Sequence, residues 1–546
     1  MKPASSDPIR THQSLSRHRK HAPRVSRSPL NTQWKQSRNK GSSLCKFKLA
    51  VMRHPLRKSH PYEITLLSHR EPYLHESTPL GPLLHSPASG LISALEPLMK
   101  TYGGLWIAHG QGSADRHFVD ENSELDAPPY PAAPKYRLKR VWLSPEQERT
   151  FYWGFSNQTL WPLCHTAFER PNFNPLDWEG YRTVNQLFTD AIPLESLNSH
   201  STLLVQDYHF ALVPLLLRSR LLKLGIPRIE HPRISLFWHI PWPHSDLFQR
   251  CPWAREIVRG MNAADLIGFH TSASCKNFKD TAYEILGSES EQGAKVAPFP
   301  MGIETPPTPH ISLTERHQLR QHYGVQTQYL AVGVDRIDYT KGIFERFQAV
   351  DRFLEVNPKY RGNFTLLQIG APSRGEIPRY QTLLQDLQTE ARRINAKHAN
   401  QSNEVILFRA QHHARSELEK IYAIADLCLV TSLHDGMNLV AKEYLWNQPK
   451  PLHSCPAGAL VLSKYAGAAE ELTEAWQINP HDIEEIASTI KDILHTPEHE
   501  RARRLRRLQQ QVLDHNADHW ANSFLRASRS NNENSARAST QKSIAG

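Results

Sequence analysis

Arg336 and Lys341 stand five residues apart in the run Val334-Asp335-Arg336-Ile337-Asp338-Tyr339-Thr340-Lys341-Gly342. A second cluster follows at His434-Asp435-Gly436-Met437-Asn438-Leu439-Val440-Ala441-Lys442-Glu443. Two cations in a loop after a strand, together with unpaired amide N–H groups at a helix N-terminus, provide what a pyrophosphate requires. A carboxylate one or two turns into that helix, Glu443, can accept from the hydroxyls of a ribose. The two clusters together point to a site for a nucleotide sugar. Arg336 and Lys341 could also be a solvated loop pair, or could pair with Asp335 or Asp338. Asp435 could equally be an ordinary helix N-cap.

These clusters need strands and helices to hold them. An apolar run at 329–334 precedes the first, and another at 427–430 precedes the second. Further apolar runs at 364–369, 405–408 and 460–463 read as strands with helices between them, which predicts a doubly wound parallel sheet. The first half shows the same alternation. Predicted strands lie at 64–68, 103–108, 201–207, 233–239 and 266–270, with helices at 90–99 and 210–222. The spacing therefore predicts an α/β fold of two doubly wound, Rossmann-like domains. The expected boundaries are a basic tail at 1–60, a first domain at 61–303, a second at 304–510, a terminal helix at 511–527 and a polar tail at 528–546. Pro306, Pro307 and Pro309 mark the linker.

The two clusters are similar to V-x-R-x-D-Y-x-K-G and R-D-G-M-N-L-V-A-K-E. In these motifs the chain resembles the trehalose-6-phosphate synthase family of retaining glycosyltransferases, which includes the glucosylglycerol-phosphate synthases. The resemblance runs from about residue 64 to about residue 525. It implies the glycosyltransferase B architecture, with the two Rossmann-like domains facing across a cleft and the terminal helix crossing back to the first domain. It also implies transfer of glucose from a nucleotide diphosphate sugar to a phosphorylated acceptor. UDP-glucose and glucose 6-phosphate, giving trehalose 6-phosphate, are the first expectation. ADP-glucose with glycerol 3-phosphate is the alternative, and a non-catalytic sugar-phosphate sensor is a further one.

The resemblance also implies roles. Arg336 and Lys341 would stabilise the leaving diphosphate without a metal or other cofactor. Gly436, Met437, Asn438, Leu439 and Val440 would turn their amides to the donor, Asp435 would take sugar hydroxyls and Glu443 the ribose. Gly90 would let its loop approach the nucleotide. Asp207 and His239 end neighbouring strands, where open α/β sheets bind ligands. Asp207 would order the acceptor, and His239 would touch the donor sugar. Attack would come from the front face, with the donor phosphate taking the acceptor proton, so no nucleophile is assigned. Arg70 and Arg374 would hold the acceptor phosphate, with Trp106, Tyr152 and Trp161 shaping its pocket. Two departures stand out. His434 occupies a position that is usually Arg, and Ser68-His69-Arg70-Glu71-Pro72-Tyr73 is closer to the H-R-E-P-Y of glucosylglycerol-phosphate synthases.

Composition bounds the rest. The chain has 546 residues, 39% hydrophobic and 22% charged, too long for one core and typical of a globular protein. It contains no run of eighteen apolar residues, which argues against a membrane helix. Cysteines at 45, 164, 251, 275, 428 and 455 form no C-x-x-C pair, which points away from zinc and disulfides and toward the cytoplasm. A homo-oligomer is compatible with all of this. The net charge of +11 is a property of the tail: residues 1–60 hold fifteen Lys or Arg against Asp7 alone, a local balance of +14. This segment reads as disordered. It is an arm for nucleic acid or another anionic surface, a transit peptide, or a dispensable extension ahead of a start near Met52. Removing residues 1–60 separates these accounts. An anion-binding arm predicts loss of nucleic-acid retention in a gel-shift assay with glucosyl transfer unchanged, whereas loss of transfer would tie the tail to the chemistry.

Overall fold

In the computed structural model, the described residues are 62–87, 90–307, 311–398, 404–449 and 456–529. The basic tail, Pro309, Cys45, Cys455 and residues 530–546 lie outside them. The first half carries β1 (Ile64–Leu67), a hairpin of β2 (Leu74–Thr78) and β3 (Gly81–His85), then β4 (Leu105–His109), β5 (Glu124–Ala127), β6 (Tyr136–Val141), β7 (Thr202–Gln206), β8 (Arg233–Phe237), β9 (Leu266–Phe269) and β10 (Lys295–Pro298). Eight of these strands form one sheet in the order β10-β9-β8-β7-β1-β4-β6-β5. Only the edge strand β5 is antiparallel to its neighbour. The second half carries β11 (Tyr329–Arg336), β12 (Phe364–Ala371), β13 (Ile406–Arg409), β14 (Leu427–Val430), β15 (Ala459–Ser463) and β16 (Trp476–Ile478). They form a fully parallel sheet in the order β13-β12-β11-β14-β15-β16. The central strands are buried on both faces, as helix-covered parallel sheets require.

Both orders reverse direction once. The chain moves outward from β1 through β4 on one side and from β7 on the other, and in the second sheet from β11 through β12 and from β14. At these switch points the connecting helices leave on opposite faces and open a crevice at the carboxyl ends of the strands. The loops after β1, β7 and β14 carry Arg70, Asp207 and Asp435, and β11 ends in Arg336. Topology alone therefore directs four of the expected site residues to the carboxyl ends of the two sheets.

The second sheet is pinned by Arg346, fully buried on the helix Ile343–Val356. Its Nη1 donates to Asp335 Oδ2 and Gln368 Oε1, both at 2.7 Å, and its Nε donates to Thr431 Oγ1 at 3.1 Å. One guanidinium thus joins the ends of β11, β12 and β14. Gly342 must be glycine at this junction. Its φ is +60°, and a Cβ there would lie 2.0 Å from the Thr431 carbonyl oxygen.

The terminal helix begins later than expected. The helix Glu498–Asp514 ends, and a new one runs Ala517–Arg529. This last helix lies against the first sheet, with Trp520 and Phe524 edge-on to Phe237 of β8 at 5.3 and 5.2 Å. Ser528, expected to begin the polar tail, is buried, and its carbonyl accepts from Arg233 at 3.0 Å. No described helix is long and apolar enough to cross a membrane. Replacing Arg346 by Leu strands the Asp335 carboxylate and Gln368 without their donor. Urea unfolding is expected to show a loss of about 3–5 kcal/mol.

Candidate active site

A cavity of about 710 Å³ lies between the two sheets and takes walls from both. Arg70, Gly90, Tyr152, Trp161 and Asp207 come from the first half, and Arg336, Arg374, Leu439, Val440 and Glu443 from the second. Ten of the seventeen sequence candidates therefore line one space, and Trp106, His239, Lys341, Asp435, Gly436, Met437 and Asn438 stand outside its wall.

Its cationic end is built first. Arg70 follows β1, and Ser68 fixes that loop. The Ser68 hydroxyl donates to the Arg70 carbonyl at 2.6 Å and accepts from Trp106 Nε1 at 2.8 Å. Arg336 is the last residue of β11, not a loop residue, and is about 38% exposed toward the cavity. Arg374 is buried, with φ +49°, and donates to Asp338 Oδ2 at 2.6 Å and to the Tyr380 hydroxyl at 2.7 Å. The Trp161 indole lies under both guanidinium groups, 3.8 Å from Arg374 and 5.3 Å from Arg336. Tyr152 stands on a wide helix with i→i+5 bonding, Arg149–Leu160, a conformation frequently found at functional sites. Burial alone would raise the pKa of its phenol. Arg70, Arg374 and Arg336 outweigh it and hold the phenol below its usual value. Three cations on one phenol describe a site for an anion such as a phosphate.

Asp207 faces this end. Its φ of +77° is a strained geometry for a non-glycine residue. The carboxylate repays it by accepting the N–H of Tyr208 at 2.9 Å and of His239 at 3.2 Å through Oδ1. Burial pushes its pKa up to about 6, against the pull of those two amides and of Arg70 and Arg374. His239 sits just outside the cavity wall. Its Nε2 pairs with Gln206 Oε1 at 3.0 Å, and burial holds its ring well below the usual histidine range.

The donor segment is organised by Lys341 and Asp435. Lys341 Nζ donates to Asp435 Oδ2 at 2.5 Å, beside the cavity and not in its wall. Burial would raise the Asp435 pKa, but Lys341, His165 and Asn438 bring it down to about 2. The N-cap of the following helix is Asn438, not Asp435. Asn438 has φ +73°, and its Oδ1 accepts from Ala441 N at 3.1 Å. Gly436 presses on the first half, since a Cβ there would stand 2.4 Å from the His239 carbonyl oxygen. Among the described residues, no protein acceptor takes the N–H groups of Gly436, Met437 or Asn438. Gly90 approaches the same helix start, where a Cβ would meet Leu439 Cδ1 at 2.7 Å. Deeper in the cavity, Glu443 accepts from the Tyr422 hydroxyl at 3.3 Å, and burial raises its pKa.

One expectation is corrected. Trp106 does not shape the pocket. It lies in the interior of the first sheet, fully buried and 5.9 Å from the Tyr136 ring, and serves the site only by holding Ser68. All five residues of β4 are buried, so alternation along the strand carried no information about which side chain faces the cleft. Other wall residues went unread in the sequence. His69 and His209 stack at 5.1 Å behind Tyr152, and Arg415 pairs with Glu304 at 2.8 Å near Glu443. The neighbouring Ser-His-Arg and Asp-Tyr-His triplets were the available signal for the two histidines. Among the described residues, no group of three His, Cys, Asp or Glu is placed to hold a metal ion.

Comparison with known proteins agrees with this geometry. The profile of Glycosyltransferase family 20 matches residues 66–529. A trehalose-6-phosphate synthase of Mycobacterium avium is 34% identical over 492 residues, covering 85% of this chain and 95% of its own. An E. coli structure described as trehalose-6-phosphate bound with UDP-2-fluoro glucose superimposes with a TM-score of 0.72 at 28% identity, covering 86% of this chain and 99% of that one. A UDP-forming alpha,alpha-trehalose-phosphate synthase of Burkholderia xenovorans in complex with glucose-6-phosphate gives 0.69 at 28% identity, covering 85% and 100%. The fold is thus that of the glycosyltransferase B enzymes, two Rossmann-like halves across a cleft, and the chain belongs to glycosyltransferase family 20, the family of the trehalose-6-phosphate synthases.

Proposed function

We propose that this glycosyltransferase moves glucose from UDP-glucose to glucose 6-phosphate with retention, forming trehalose 6-phosphate. The observation that carries the reading is the meeting of Arg70, Arg336 and Arg374 around Tyr152 at one end of a cavity whose other end holds Glu443. The acceptor phosphate would lie between Arg70 and Arg374, and the uridine diphosphate along β11 and the helix Leu439–Asn447. The relatives bound with UDP-2-fluoro glucose and with glucose-6-phosphate support this pairing.

In this mechanism the leaving diphosphate gathers charge as the glycosidic bond breaks. Arg336 and Lys341, with the amides of the 436–439 loop, stabilise that charge in a site screened from water. Lys341 would pass from Asp435 to the phosphate, freeing Asp435 for glucose hydroxyls. Asp207 accepts from a neighbouring hydroxyl of the acceptor and so fixes the approach of the attacking one, whose proton the departing phosphate takes as the new bond to glucose forms. No protein nucleophile and no metal enter this scheme.

A second reading, glycerol 3-phosphate with ADP-glucose, derives from the Ser68–Tyr73 segment. Glu71 of that segment is turned inward to Arg140 at 2.7 Å and does not line the cavity, so the similarity there is partly one of internal support. A panel of UDP-, ADP- and GDP-glucose against glucose 6-phosphate and glycerol 3-phosphate, followed by nucleoside diphosphate release, decides. Turnover of UDP-glucose with glucose 6-phosphate is expected. Turnover with glycerol 3-phosphate alone would move the assignment, and folded protein silent throughout would favour a sensor.

Three further outcomes are expected. Arg336→Ala and Lys341→Ala should each lower kcat by about 10²–10³, the range for losing one oxyanion-type donor, with circular dichroism unchanged. Turnover should fall as pH drops through about 6, because only the ionised Asp207 accepts from the acceptor hydroxyl. Asp207→Asn should be slow and lack that limb. Dialysis against EDTA should leave the rate unchanged, and loss restored by a divalent cation would refute metal-free charge stabilisation.

A further inference from the structure

We infer that His434 is a positioning residue that locks the donor loop to the acceptor pocket across the cleft. The inference rests on the proposed function and deepens it. Residues 165–169 leave the helix Trp161–His165 of the first half and reach the second half. There His434 Nδ1 lies 2.7 Å from the His165 carbonyl oxygen and 3.1 Å from Thr166 Oγ1. A carbonyl only accepts, so Nδ1 carries the hydrogen. Farther along the strap, Arg379 Nε donates to Glu169 Oε2 at 2.9 Å, and the Phe168 ring meets His481 at 5.6 Å. Thr166 and Phe168 have φ values of +49° and +58°, a backbone that non-glycine residues hold only when their surroundings impose it.

What makes the link functional is where its two ends lie. His165 Nδ1 pairs with the Trp161 carbonyl at 2.9 Å, and the two rings are 4.0 Å apart. Trp161 carries Arg374 at 3.8 Å, the cation proposed for the acceptor phosphate. On the other side, His434 directly precedes Asp435, the partner of Lys341. An acceptor that pulls on Arg374 therefore shifts Trp161, His165, His434 and Asp435 in turn. Two ligands that bias one shared arrangement are thermodynamically coupled, and the coupling is reciprocal.

Calorimetry tests this with UDP and glucose 6-phosphate, titrated singly and together. In the wild type, UDP should tighten glucose 6-phosphate binding. His434→Ala should cut that enhancement at least fivefold, while the Kd for UDP alone moves less than twofold. His434→Asn, whose side-chain N–H can still reach the His165 carbonyl, should restore at least half of it, an effect that general loosening would not produce. Unchanged enhancement in His434→Ala would overturn the inference, as would equal loss in His434→Asn or uncoupled binding in the wild type. Wild-type protein that binds no glucose 6-phosphate would overturn the acceptor reading and this inference with it.

Discussion

Gathering positive charge is the problem that the active-site cleft has to solve, and Asp338 is the group that solves it. Its carboxylate is buried at the end of β11, 2.6 Å from Arg374 Nη1 and 4.0 Å from Arg336 Nη2. Burial would raise its pKa, but Arg374, Arg336 and Lys341 together hold it below the usual carboxylate range. The dependence is mutual, since two guanidinium groups and an indole stacked this closely need an anion beneath them. Asp338 also caps its own turn, accepting from Thr340 N at 3.1 Å, and so sets the path of the chain toward Lys341. One carboxylate thereby fixes an acceptor-side cation, a donor-side cation and the backbone between them.

Strain collects around the same cleft. Asp207, Arg374 and Asn438 each adopt positive φ, as do Thr166 and Phe168 on the strap between the halves. Only Ser123, of the non-glycine residues described with positive φ, lies elsewhere. Such conformations persist where surrounding contacts over-determine them, which is the expectation for pre-organised binding residues. The sheets behind them, the second clamped by Arg346, supply that determination.

Much of this was legible in the chain because buried parallel strands announce themselves as apolar runs. The ten strands read from sequence all exist, and their carboxyl ends hold Arg70, Asp207, Arg336 and Asp435. The hairpin β2–β3 was not read, because its residues are largely solvent-facing and lack a hydrophobic period. Lys341 and Asp435 were both singled out, yet their bond spans 94 positions and no local pattern encodes it. Trp106 was placed in the pocket by the family resemblance, whereas burial of every residue of β4 hid its true direction. His434 drew notice only as a departure, and its partner across the cleft is a backbone carbonyl, which leaves no trace in side-chain identity.

The two crossings between the halves touch each other. Ala517 N donates to the Ile303 carbonyl at 2.9 Å, and a Cβ on Gly302 would stand 2.2 Å from the His515 carbonyl oxygen. The two passages of chain are thereby held to one another at a single place. The last described residue, Arg529, belongs to a helix packed on the half that holds Arg70 and Tyr152. Any partner or module tethered beyond that point would travel with the acceptor side of the cleft, although it follows the donor side in sequence.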